Sequence, residues 1–412
     1  MLAHLLPIVA LAVCAVVAKP IVIRDSPVTL PIARRFNVTA APNLLELDQA
    51  RAKVLKEQGL ARGKDAKLSK AGILDSNFPV TNGAVDYTAS VGVGTPPTTY
   101  NLIVDTGSSN TWVGAGTEYV PTNSSVDTGD EVIVEYGSGI FFGEEYTDTV
   151  TIGDLTIKAQ SIGVAEFAIG FDGVDGILGL GPDDLTEGTT SSGAVVPTVV
   201  DNAFAQGLID SKVVGISFEP TTSLSVTNGE LTFGGTDSSK YTGEIAYVPV
   251  TSTAPASSYV GIDQSITYGS AGTTILSSTA GITDTGTTLV LIASDALSAY
   301  QAATGAVADS ATGLLKITAE QFANLESLFF HIGDNTYEFT ANAQIWPRAL
   351  NTAIGGDADS VYLIVADLGS DSGEGLDFID GFTFLERFYN VWDSANSQVG
   401  FATTPFTDAT TN

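Results

Sequence analysis

The chain has 412 residues, with 17 Lys and Arg against 47 Asp and Glu, a net charge of −30, and 44% hydrophobic residues. That length exceeds one average domain and predicts two lobes of roughly 150 to 200 residues. Charged residues make up only 16% and Gly reaches 43, which suits short strands and turns and excludes a coiled coil. So acidic a surface also excludes nucleic acid as a partner unless a local basic patch exists.

From the N-terminus, Leu5 to Val17 is an unbroken apolar run ending in Val16, Val17 and Ala18, which reads as a secretory signal peptide over 1–18. It is too short to span a bilayer comfortably, and no later stretch supplies a membrane anchor. Cys14, inside that run, is the only cysteine, so no disulfide is available to the rest. Residues 19–78 form a basic arm, expected to be helical in part because Leu44, Leu45, Leu47, Ala50, Val54 and Leu55 recur at three- and four-residue spacing. The first 80 residues hold 11 of the 17 bases and 6 acids, leaving 6 bases and 41 acids for the body. A basic arm beside an acidic body predicts an intramolecular electrostatic partner, or two pieces that later separate.

Beyond Val80 the pattern turns to strands and turns, as in Val132 to Tyr136, Thr149 to Ile152 and Tyr337 to Thr340. Helices are few: one at Thr198 to Gln206, and one after an N-cap signal at Ser294. A Thr- and Ser-rich passage from Pro220 to Thr227 places the lobe boundary, giving 79–222 and 223–412. Asn37 with Thr39 and Asn123 with Ser125 are glycosylation sequons, Asn123 in the more polar surroundings.

The most informative feature is an internal repeat. Ile103-Val104-Asp105-Thr106-Gly107-Ser108-Ser109 returns as Ile282-Thr283-Asp284-Thr285-Gly286-Thr287-Thr288, and an apolar element ending in Gly follows each copy, at Ile177 to Gly179 and at Phe378 to Gly381. Duplicated lobes about a pseudo-twofold axis would bring Asp105 and Asp284 face to face. Two adjacent carboxylates cannot both ionise easily, so they share one proton and can hold a water between them. The ionised member acts as general base and the protonated member as general acid, which hydrolyses an amide without a covalent intermediate. Gly107 and Gly286 let backbone N–H groups approach the carboxylates, and the Thr106 and Thr285 hydroxyls can lock the two loops together. Two Asx-turns at strand ends are the non-catalytic alternative.

These motifs resemble the pepsin family of aspartic endopeptidases in precursor form. The resemblance rests on DTGSSNTW at Asp105 to Trp112, YGSG at Tyr136 to Gly139, VDGILGLG at Val174 to Gly181, DTGTTL at Asp284 to Leu289 and FIDGFTFLERFYNVWD at Phe378 to Asp393. Within that family it is most similar to the fungal polyporopepsin type, through SFEPTTS at Ser217 to Ser223 and GELTFGGTDSSKYTG at Gly229 to Gly243. The resemblance implies an all-β, bilobal fold of two pseudo-twofold-related β-barrel-like lobes with few short helices. It makes Asp105 and Asp284 the catalytic pair and Tyr136 the tip of a hairpin flap. Gly137 and Ser138 would bond substrate, Trp112 would brace the tyrosine hydroxyl, and Ser108 and Thr287 would bond the two carboxylates. Ile103, Ile177 and Ile282 would supply apolar walls for bulky hydrophobic substrate residues. Asp380 departs from the family pattern, an acid where an apolar residue is expected.

Inventory excludes other hydrolase classes. After the signal the only histidine is His331 and no cysteine remains, so Cys-His chemistry is impossible and zinc would lack its ligands. His331, after Leu328, Phe329 and Phe330, reads as a strand-end residue rather than the base of a Ser-His-Asp site. No cofactor or metal is expected, the acidic loop Asp367, Asp371, Glu374, Asp377 reading as a solvated turn rather than a Ca²⁺ site. A glycosidase with paired carboxylates and an inactive pepsin-fold binding protein are the competing functions. The expected protein is a monomer, secreted or alternatively vacuolar, with protein and peptide substrates, no nucleic-acid partner, and its own propeptide as intramolecular inhibitor.

Overall fold

The structure, a computed structural model, describes residues 27–37, 44–62 and 85–412. The signal peptide, Thr39 of the first sequon and the arm's expected end at 78 lie outside the described residues. Among those described, strands dominate and form one 13-stranded sheet, one seven-stranded sheet and one three-stranded sheet.

The same three-strand arrangement occurs twice. Thr98–Asp105 runs parallel to Gly176–Gly179, with Ile103 opposite Ile177, and Thr111–Val113 lies antiparallel on the far side of Gly176–Gly179. In the second half Thr273–Thr283 runs parallel to Phe378–Asp380, with Ile282 opposite Ile379, and Val290–Ile292 lies antiparallel beyond it. A short parallel pair inside mostly antiparallel sheets needs a long crossover between its strands. In each half that crossover carries the chain away from the Asp-Thr-Gly turn and back to it.

The two halves are joined by the 13-stranded sheet, and one of its inner strands, the sixth, comes from the basic arm. Val28–Phe36 pairs antiparallel with Val85–Val93 on one side and with Ser225–Phe233 on the other. Its Val28, Leu30 and Ile32 alternate inward, as a strand packed on one face requires. Arg34 follows in the same inward row and is also buried, with Nη1 donating to the Thr221 carbonyl at 3.0 Å and Nε 3.7 Å from Glu386. Its guanidinium lies against the rings of Phe382 and Trp346, which suits its weak hydration.

The arm then forms the helix Leu44–Ala61, which buries Leu44, Leu47, Asp48, Arg51, Ala52, Leu55 and Gly59. These fall on one stripe at helical spacing, but Asp48 and Arg51 occupy its centre in place of the expected Ala50 and Val54. Elsewhere, Val199–Ala205 is capped by a reciprocal Thr198 and Asp201 pair. Ser294 is not the cap of its helix: it is the first residue of Ser294–Thr304, after Ala293, and its hydroxyl donates to Asp367 Oδ1 at 2.6 Å.

Candidate active site

Each strand–turn unit delivers one carboxylate. Asp105 ends its strand, Asp284 follows its own, and both are fully buried. Around each, the turn supplies the same two donors. Ser108 Oγ donates to Asp105 Oδ2 at 2.5 Å and Gly107 N to Oδ1 at 2.9 Å. Thr287 Oγ1 donates to Asp284 Oδ2 at 2.6 Å and Gly286 N to Oδ1 at 3.1 Å. The threonines lock the loops across the axis: Thr106 N donates to Thr285 Oγ1 at 3.0 Å, Thr285 N to Thr106 Oγ1 at 3.1 Å, and Thr285 Oγ1 to the Val104 carbonyl at 2.8 Å. The loops approach so closely that a Cβ on Gly107 would stand 2.7 Å from Asp284 Oδ1, and one on Gly286 2.7 Å from Asp105 Oδ1. Only glycine fits there.

Arg51 of the arm fills the space between the carboxylates. Its Nε donates to Asp284 Oδ2 at 2.7 Å, and its Nη2 to Asp105 Oδ1 at 2.5 Å and to Asp284 Oδ1 at 3.0 Å. One guanidinium therefore holds both, a geometry its planar fork is suited to. Burial and the neighbouring charge of Asp284 raise the Asp105 carboxyl above its ordinary value against the pull of Arg51. Burial opposes ionisation of Asp284 too, but Arg51, Thr287 and Gly286 outweigh it and hold that carboxyl below its ordinary value. The two acids are thus pushed apart, as a closely spaced pair requires. Sequence reasoning expected a basic residue of the arm here without identifying which.

The helix is anchored on both sides of the dyad. Asp48 accepts from Leu289 N at 2.7 Å and Thr288 N at 3.3 Å, and burial pushes its carboxyl up to about 7. Tyr259 donates its hydroxyl to the Leu55 carbonyl at 2.6 Å, Lys56 pairs with Glu374 and Ser370, and Arg62 pairs with Asp184 at 3.2 Å. No motif announces Asp48, because its partners are main-chain N–H groups.

The expected flap falls on the hairpin of Val126–Glu135 and Ile140–Ile152, closed by Tyr136 N donating to the Gly139 carbonyl at 2.8 Å. Gly137 has φ of 77°, and a Cβ there would meet the Ala50 carbonyl at 2.6 Å, so the tip rests on the helix. Gln58 Nε2 adds a bond to the Glu135 carbonyl at 2.8 Å. Ile103, Ile177 and Ser138 line a small cavity beside Asp105. A larger cavity of about 760 Å³ on the other side of Arg51 is lined by Ser108, Ile133, Val134, Tyr136 and Leu185.

Trp112 packs against Tyr136 with ring centroids 6.3 Å apart, and a polar contact from Trp112 to the tyrosine hydroxyl works against the burial that raises its pKa. One expected detail differs. Ile282 does not line either cavity: its strand is paired on both sides there, with Gly261 and Ile379, and its side chain sits fully buried in the main core. Three of the four acidic-loop carboxylates are separately engaged, Asp367 with Ser294 Oγ, Glu374 with Lys56, and Asp377 with Gly373 N and Glu374 N. His331 lies within the strand Leu328–Ile332, bonded to Thr267 and Thr336 at 2.9 Å each.

Comparison with known proteins agrees with this arrangement. Residues 86–404 match the family model described as eukaryotic aspartyl protease. The chain is 68% identical to polyporopepsin of Irpex lacteus over 82% of its own length and 99% of that protein's. It is 31% identical to gastricsin of Cavia porcellus over 82% of this chain and 85% of that protein, and 32% identical to rhizopuspepsin-1 of Rhizopus niveus over 80% and 86%. The crystal structure of the Irpex lacteus aspartic proteinase superposes with a TM-score of 0.80 at 58% identity, covering 94% of this chain and all of that one.

Proposed function

This chain belongs to the pepsin family of aspartic proteases, and we propose that it is a secreted acid endopeptidase made as a precursor that opens itself. Asp105 and Asp284 are its catalytic pair. With Arg51 gone, two buried and mutually repelling carboxylates retain one proton between them and bind a water. The ionised carboxylate takes a proton from that water as its oxygen adds to the peptide carbonyl carbon. The protonated carboxyl hydrogen-bonds the carbonyl oxygen and protonates it. When the tetrahedral intermediate collapses, the carboxyl that took the water's proton gives it to the leaving nitrogen, the other carboxylate takes a hydroxyl proton back, and the C–N bond breaks to leave an acid and an amine. Thr106 and Thr285 hold the loops in register, Ser108 and Thr287 hold the carboxylates in orientation, and Tyr136, Gly137 and Ser138 close over an extended substrate.

The observation that carries this reading is Arg51 bonded to both carboxylates by three hydrogen bonds at once. A site so occupied cannot hold the attacking water, so residues 19–78 act as an inhibitory propeptide, following a signal over 1–18 and preceding lobes at 79–222 and 223–412. Ile103 and Ile177 on one side, and Ile133, Val134 and Leu185 on the other, favour bulky apolar residues around the scissile bond. Asn123 is exposed in a turn and Asn37 half-buried, so Asn123 is the better glycan acceptor. The test is to hold the full-length protein at pH 7 and then at pH 3 to 4, with and without a statine-type inhibitor, following protein-substrate cleavage and the new N-terminus. Expected are inertness at pH 7, and at acid pH inhibitor-sensitive cleavage with shortening by about 60 to 80 residues. Full activity of the uncleaved chain at pH 7 would overturn the precursor reading.

A further inference from the structure

Asp380, whose acidity the sequence left without a role, lies directly behind the catalytic loop. It is fully buried, its backbone carbonyl accepts from Asp284 N at 3.2 Å, and it sits opposite Thr283 on one side and Val290 on the other. No cation pairs with it among the described residues. Its one side-chain partner among the described residues is buried Gln264, whose Nε2 donates to Asp380 Oδ1 at 3.2 Å. That leaves two buried acceptors, Asp380 Oδ2 and Gln264 Oε1, without any donor. Two acceptors on one bonded pair, both buried, lack a single proton.

We propose that Asp380 is a neutral carboxylic acid in the working enzyme, accepting from Gln264 Nε2 at Oδ1 and donating its Oδ2 proton to Gln264 Oε1, and that this closed acid–amide pair positions the Asp284 loop. An ionised Asp380 would leave an uncompensated charge in the core and two buried oxygens without a donor. Other titratable groups on the elements around it are turned elsewhere. Asp263 faces Thr251, Asp284 faces Arg51 and Thr287, Asp377 faces Thr279 and the Gly373 and Glu374 amides, Glu386 faces Tyr87 and Arg34, and Arg387 faces the Phe406 and Ala409 carbonyls. Burial accordingly raises the Asp380 carboxyl to about 8, against a lowering by Gln264 alone. Asp380 is thus a positioning residue: fully buried behind the Asp284 loop, it acts through the strand that holds Asp284.

The test is infrared difference spectroscopy on the full chain, wild type minus Asp380→Asn. At pH 6.5 the difference should contain one protonated-carboxyl carbonyl band, shifted in a Gln264→Leu background because its amide partner is gone. Absence of that band at pH 6.5 would overturn the proposal. Peptide hydrolysis at acid pH supplies a second readout. Asp380→Asn, whose amide N–H replaces the lost donor, should keep kcat within about threefold, and Asp380→Leu, which orphans both polar atoms of Gln264, should lower kcat about tenfold or more with KM within twofold. Wild-type kcat in Asp380→Leu would refute the positioning role. If Asp380→Leu fails to fold, the infrared band of the Asn pair still decides the protonation state, and the kcat of Gln264→Leu, expected to fall with KM unchanged, decides the positioning.

Discussion

Replacing Arg51 by Gln in the full-length chain removes the one cation between two buried carboxylates. Three charge-assisted hydrogen bonds are lost, at 2.5, 2.7 and 3.0 Å. Breaking one side of a buried ion pair costs about 3 to 5 kcal/mol, and proton uptake by the abandoned carboxylates recovers part of it, so about 3 kcal/mol is expected against the docked arm, roughly 100-fold in the open fraction. The pH window follows from Asp284, which docking holds below its ordinary value. Its contribution to docking is complete above the ordinary carboxylate value of about 4 and is lost as pH falls through the lower docked value. Without Arg51 that depression disappears and the arm opens at higher pH. In a fluorogenic-peptide assay at pH 6, Arg51→Gln should cleave roughly 100-fold faster than the wild-type precursor and begin self-processing about one pH unit earlier. Lys53→Gln is the control, since Lys53 is 74% exposed and 3.9 Å from Glu57 within the same helix. If Arg51→Gln matched the wild-type precursor in both rate and processing pH, the lock would not lie in this residue.

Asp48→Ala leaves the Thr288 and Leu289 N–H groups without their acceptor and should weaken docking by about 1 to 3 kcal/mol, seen as processing at higher pH than wild type in a gel-based time course. Glu145 is buried, bonded by Ser161 Oγ at 2.6 Å, and pushed up by burial from 4.5 to about 7. For an acid raised on folding, stability is highest below the unfolded value and falls as pH rises to the folded one. The unfolding free energy should therefore decline between pH 4.5 and about 7, and Glu145→Gln should flatten that decline by up to about 3 kcal/mol; an unchanged slope would assign the loss to other groups.

Most of the site's polar chemistry was legible because it is local. A carboxylate that needs a backbone N–H and a hydroxyl on its two oxygens draws them from the next three residues, so Gly107 and Ser108, and Gly286 and Thr287, appear as a written motif. The duplication made the loops' meeting legible as well. What stayed hidden depends on distant partners. Val28–Phe36 carries Pro31 and two arginines and does not announce a central strand; its place is set by Val85–Val93 and Ser225–Phe233. Arg34 is an inward residue only because Glu386, the Thr221 carbonyl and two aromatic rings receive it. Arg51 was one of 11 bases in the first 80 residues, and only the docked helix distinguishes it. Ser294 read as a cap by residue type, but Asp367, brought close by the fold, takes its hydroxyl. Ile282 read as a cleft wall because its motif places it near the dyad, yet the second half buries it in the core.

The central claim is that Asp105 and Asp284 divide one proton and act in different roles on one water. The measurement that meets it most directly is kcat for a hydrophobic peptide at acid pH with Asp105→Asn and Asp284→Asn, each freed of its arm by an added protease and shown to be folded by its unchanged thermal unfolding. Each variant should lose at least about 1,000-fold, since neither carboxylate replaces the other as acid or base. Either variant retaining more than about 10% of wild-type kcat, a loss below roughly 1.4 kcal/mol, would contradict the shared-water mechanism.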